Sequence, residues 1–103
     1  MIQKIKISQA REAVQILELQ RLSYRIEADL IGSEAIPALN ETLEQLQDCT
    51  ETFYGFLEGQ KIVGAISFKL EHDTLDIHRI MVHPNHFRKG IACALLDFAL
   101  NLE

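Results

Sequence analysis

The sequence predicts an α+β fold: a mixed, mainly antiparallel sheet flanked by helices, with elements in the order β-α-α-β-β-β-α. Three observations carry this. Apolar residues recur at helical spacing from Ala10 to about Leu30, then at period two after Cys49. The joints inside the period-two region, Glu58–Gly59–Gln60 and Glu71–His72–Asp73, are short enough for antiparallel hairpins. The chain then closes on a second strongly apolar helical pattern.

Taken in order, Ile2, Ile5 and Ile7 with lysines between them give a first strand. Ala13, Ile16, Leu17, Leu19 and Leu22 form one face of the first helix, which Gly32 and Ser33 break. Asn40 is the expected N-cap of a second helix over about Glu41–Gln47, with acidic residues at its favourable end. Strands follow at Thr52–Leu57, Ile62–Leu70 and Leu75–Val82, and Pro84 stops the last of them by removing a backbone donor. Ile91, Ala94, Leu95, Phe98 and Leu102 build a final amphipathic helix from about Lys89 to Leu102.

A length of 103 residues fits one domain, 1–103, and its 48% apolar and 24% charged residues are those of a globular chain. A domain this small buries a modest share of its surface, so association with a partner would help it. Fifteen acidic residues against ten basic ones give a net charge of −5. General nucleic-acid binding is not expected from such a balance, because neutralised phosphates supply most of that affinity. Cys49 and Cys93 fit no metal or redox spacing and are read as reduced, partly buried thiols. No signal peptide and no run of about 20 apolar residues is present, so the expected location is cytoplasmic with no membrane partner. His83 and His86 have no convergent ligand spacing, so no metal is expected.

The stretch "MVHPNHFRKGIACALL", residues 81–96, carries the chemistry. A strand that opens into a loop and then a helix exposes backbone N–H groups at the positive end of the helix dipole, where a phosphate is attracted. Gly90 lets the backbone approach a ligand, Ile91 turns into the core, and Ala92 keeps the next turn open. Arg88 and Lys89 add charge. On these features alone the stretch is either an anion cradle or an ordinary strand–loop–helix connection.

Residues 77–100, "IHRIMVHPNHFRKGIACALLDFAL", resemble the acetyl-CoA-binding segment of the GNAT superfamily of N-acetyltransferases. That pattern is an apolar strand ending in V-x-P, a short loop, and [Q/R]-x-x-G-x-[G/A] opening a helix. Val82, Pro84, Gly90, Ala92, Leu95 and Leu96 match it in type and spacing, and the element order matches along nearly the whole chain. Two features depart from it. Phe87 stands at the [Q/R] position, with Arg88 displaced by one. The family also continues past this helix into another strand, a helix and a strand pair, so the resemblance implies a C-terminally truncated form, either a fragment or a short form completed by a partner.

The resemblance implies acetyl transfer from acetyl-CoA directly to a primary amine of a small molecule or peptide. The cofactor would be held by the backbone of Ile80, Met81 and Val82 and by the loop and helix start, Phe87, Arg88, Lys89, Gly90, Ile91 and Ala92. Asp76, fourteen residues before Gly90, stands where histone-type members place a catalytic glutamate. His78 lies two residues on, hence on the same face, and is the other candidate base; the alternative is that both form a solvated strand face, with Leu75, Ile77 and Arg79 on the other. Tyr24 and Tyr54, with Phe53, are candidates for the acceptor pocket or for the core. The acidic surface favours cationic acceptors slightly. The alternative function is a non-catalytic CoA-binding or dimerising module, and a homodimer is the expected assembly.

Overall fold

The computed structural model describes the backbone of residues 1–31 and 41–102, and the side chains of residues 1–25 and 41–102. The order is β1 (Ile2–Ile5), α1 (Ala10–Ile31), α2 (Leu43–Asp48), β2 (Thr52–Glu58), β3 (Lys61–Glu71), β4 (Thr74–Val82), a 3₁₀ turn (Pro84–His86) and α3 (Ile91–Leu100). The β-α-α-β-β-β-α order is therefore as the sequence predicts. The four strands form one sheet in the order β1-β2-β3-β4, and every pairing is antiparallel. Gly59 closes the first hairpin with φ +63°, and His72 and Asp73 close the second with φ 51° and 65°, the left-handed geometry that two-residue hairpin turns require.

The two faces of the sheet carry separate apolar clusters. Ala13, Ile16, Leu17 and Leu19 of α1 and Leu46 of α2 pack on Ile5, Phe53, Ile62, Ala65 and Met81. On the other face Ile91, Leu95 and Ala99 of α3 pack on Val63, Ile66 and Phe68. α3 seats closely because Gly64 lies beneath it: a Cβ there would come within 2.7 Å of Ile91 Cγ2.

Several local expectations change. Gly32, Ser33 and Asn40 lie outside the described residues, and α2 begins later than the expected Glu41. Thr42 caps it in a reciprocal capping box, its side chain accepting from the Gln45 N–H while the Gln45 side chain accepts from the Thr42 N–H. Leu22, placed by periodicity on the buried face of α1, is 47% exposed, and the polar Gln20 is fully buried instead. Cys93 is exposed rather than partly buried, because the buried stripe of α3 runs through Ile91, Leu95 and Ala99. Among the described residues no helix is long and apolar enough to cross a membrane.

Candidate functional site

β4 sets the geometry. It pairs with β3 along one edge, and among the described residues no strand pairs with its other edge. Antiparallel pairing turns alternate residues' backbone groups inward and outward. The His83 N–H donates to the Val63 carbonyl at 2.8 Å, so Met81 also faces β3 while Ile80 and Val82 present their backbone groups outward. In keeping with this, the Ile80 carbonyl accepts from the Tyr24 hydroxyl of α1 at 3.3 Å.

Beyond Val82 the 3₁₀ turn is followed by two left-handed residues, Arg88 (φ 65°) and Gly90 (φ 75°). Gly90 is the N-cap of α3 and no side chain caps it. The first helical bond of α3 runs from Ala94 N–H to Gly90 C=O, leaving the N–H groups of Ile91, Ala92 and Cys93 without an intrahelical acceptor. Between this helix start and the β4 edge lies a cleft of about 380 Å³. Ile80, Met81, Val82, Phe87, Arg88, Gly90, Ile91 and Ala92 all line it. Lys89, expected with them, is exposed and does not. Ser23, His86 and Cys93 also line it and were not anticipated; α1 brings Ser23 there only through tertiary packing.

A second group forms at a β-bulge in β4. The register runs Ser67↔Arg79 and then Phe68↔Ile77, so His78 is the extra residue. Strict alternation would put Arg79 on the face of Leu75 and Ile77. The bulge instead turns Arg79 to the α1 side beside His78, which corrects the sequence reading. There Arg79 donates Nε–H to Glu51 Oε1 at 2.9 Å, Nη2–H to Glu41 Oε2 at 3.0 Å and Nη1–H to Gln20 Oε1 at 2.8 Å. The guanidinium also lies 5.5 Å from the centre of the Phe53 ring. Ser67 Oγ donates to Glu51 at 2.6 Å and Gln20 Nε2 to Glu41 at 2.9 Å.

Burial works against charge on Glu51, but the Ser67 and Arg79 hydrogen bonds outweigh it and hold its carboxyl below the usual value. Burial likewise opposes the Arg79 charge, and the bonds to Glu41 and Glu51 more than reverse it, so the guanidinium stays protonated. His78 joins this group at its open side: Nε2 is 3.2 Å from Asp76 Oδ2, and Nδ1 is 3.9 Å from Glu51 Oε2. The His78 side chain is 33% exposed and Asp76 68% exposed. An imidazole open to solvent therefore sits two residues from Ile80, about 7 Å along the strand.

The two tyrosines do not come together. Tyr24 stands at the β4 edge beside the cleft. Tyr54 packs on the α3 face between Phe68 and Phe98, with ring centres 5.9 and 5.0 Å away, and Phe53 is a core residue. Among the described residues no group of His, Cys, Asp and Glu is arranged to hold a metal ion.

Comparison with known proteins bears on the same region. The sequence profile of the "Acetyltransferase (GNAT) family" matches residues 13–102. The UPF0157 protein YqkA of Bacillus subtilis (strain 168) is 39% identical over 101 residues, covering 98% of this chain; the chain spans 29% of that protein's length. Among solved structures, the PaiA N-acetyltransferase from Thermoplasma acidophilum in complex with coenzyme A superposes with a TM-score of 0.82 at 21% identity, over 97% of this chain and 69% of the other. An acetyltransferase from Thermus thermophilus gives 0.68 at 22% identity, over 99% and 70% of the two chains.

Proposed function

The chain belongs to the GNAT acetyltransferase family, and on that premise we propose that it takes acetyl-CoA into the cleft between β4 and α3 and passes the acetyl group directly to a primary amine. The observation that carries this reading is the cleft itself. One wall offers the outward backbone groups of Val82 for pairing with the amides of the pantetheine arm; the other offers the amides of Ile91, Ala92 and Cys93 for the pyrophosphate. The coenzyme A bound to the Thermoplasma acidophilum protein supports the same ligand here.

The amine must be neutral to attack the thioester carbonyl. His78 Nδ1 takes its proton, with Asp76 orienting the ring through Nε2 at 3.2 Å. The nitrogen lone pair then forms the N–C bond, the C–S bond breaks to release the thiolate of CoA, and the second nitrogen proton passes to that thiolate, which leaves as the free thiol. Glu41, Glu51 and Asp76 outnumber Arg79 around the bulge, and with the net charge of −5 they favour a cationic small molecule or peptide amine as acceptor. A cytoplasmic location accords with an acetyl-CoA donor.

The test is free-thiol release from acetyl-CoA across a panel of primary amines, beside a thermal melt with CoA. Turnover with at least one amine is expected, together with a rise of about 10 °C in the midpoint at CoA near 100 times Kd. A melt raised by CoA without turnover would leave a non-catalytic CoA-binding module. The β4 edge, which no strand pairs among the described residues, supports a second reading, a module that pairs this edge with a second copy; a dimer indifferent to CoA would favour it.

A further inference from the structure

Phe87 stands where the family pattern places a polar side chain. Its backbone is extended (φ −61°, ψ 149°), its N–H is bonded back to the Pro84 carbonyl, and Arg88 then turns the chain in the left-handed region. The ring lines the cleft and stays 44% exposed. Ile80, on the opposite wall, is 36% exposed, and the half-buried Val82 stands two residues on along the same wall. Single exposed apolar side chains are ordinary on a protein surface, but these three converge on one cleft beside a helix start.

We propose that Phe87 is the specificity-determining contact of this cleft: its ring packs against an apolar part of the CoA molecule, so that the side-chain contribution at this position is apolar while the phosphates rest on backbone amides. This deepens the reading of the cleft as a CoA site and rests on it. The apolar partner is either the pair of methyl groups on the pantoyl unit or the face of the adenine. Both offer carbon surface that the Phe87 ring and Ile80 remove from water together.

The experiment is calorimetric titration of CoA and of 4′-phosphopantetheine into the wild type, Phe87→Gln and Phe87→Trp. Phe87→Gln restores the polar residue of the family pattern, yet it is expected to weaken CoA binding by roughly tenfold or more, with Phe87→Trp within about threefold of wild type. The side chain is already partly in water, so apo thermal midpoints of all three proteins should coincide. A loss shared by 4′-phosphopantetheine puts the ring against the pantoyl methyls; a loss confined to CoA puts it on the adenine, and either supports the inference. Phe87→Gln binding CoA as tightly as the wild type, or more tightly, overturns it while leaving the cleft as the CoA site. A wild type that binds neither ligand overturns the reading of the cleft and this inference with it.

Discussion

Replacing Arg79 with methionine is expected to destabilise the fold by about 3–5 kcal/mol, measured by urea denaturation. Methionine fills much of the same volume, so the loss comes from charge. Glu41 and Glu51, whose side chains are 17% and 9% exposed, would face each other without the guanidinium that now bonds to both. The midpoint of a thermal melt should fall by roughly 12 °C or more for a domain of this size. Adding Glu51→Gln to Arg79→Met should recover part of the loss, since it removes one of the stranded charges; Glu51→Gln alone should not help, because the wild-type pair is satisfied. Acid acts through the same group. The folded Glu51 carboxyl lies below its ordinary value of 4.5, so its contribution to stability is complete above that pH and is lost as pH falls through the lower, folded value. Glu51→Gln should show a shallower acid limb than the wild type.

The second large effect is on turnover. His78→Asn should lower kcat by about 10²–10⁴-fold while the KM for acetyl-CoA stays near its wild-type value. Asparagine keeps a polar group of similar reach but cannot accept a proton from an ammonium. The defect should shrink as pH is raised, because more of the acceptor amine is then neutral without help. Asp76→Asn should cost less, since Asp76 orients the ring across 3.2 Å and is itself 68% exposed. Equal losses in both variants, or a KM effect without a kcat effect, would point to substrate binding at the bulge rather than proton removal.

The cleft was legible in the sequence because its signals are local. V-x-P ends a strand, a glycine precedes an apolar helix, and both survive any change in the surrounding packing. Hence Val82, Gly90, Ile91 and Ala92 fall where the pattern puts them. The Arg79 group was not legible, because period-two reasoning fails at a bulge. One extra residue, His78, turns Arg79 to the opposite face from the one alternation assigns. A lone arginine inside the apolar run "IHRIMV" was the available hint, since a charge there needs partners. Those partners come from α1, the residue ahead of the α2 cap and the approach to β2, which no local pattern joins. Gln20 escapes for a related reason: it occupies a core position of α1 that apolar periodicity cannot mark, and the periodicity picks Leu22 instead. The Thr42 cap is different. T-L-E-Q is a readable capping box, but taking Asn40 as the N-cap draws the expected helix start two residues too early.

The central claim is that the β4 edge and the N-terminus of α3 hold CoA together, and calorimetric titration of CoA into the wild type and Gly90→Val tests it most directly. A Cβ at Gly90 meets no atom within 4 Å, so valine acts by disfavouring φ +75° and not by crowding. The amides of Ile91, Ala92 and Cys93 would then lose their common direction. The expected result is saturable binding to the wild type below millimolar CoA, weakened about tenfold or more in Gly90→Val. A folded wild type that gives no binding heat at millimolar CoA would contradict the claim.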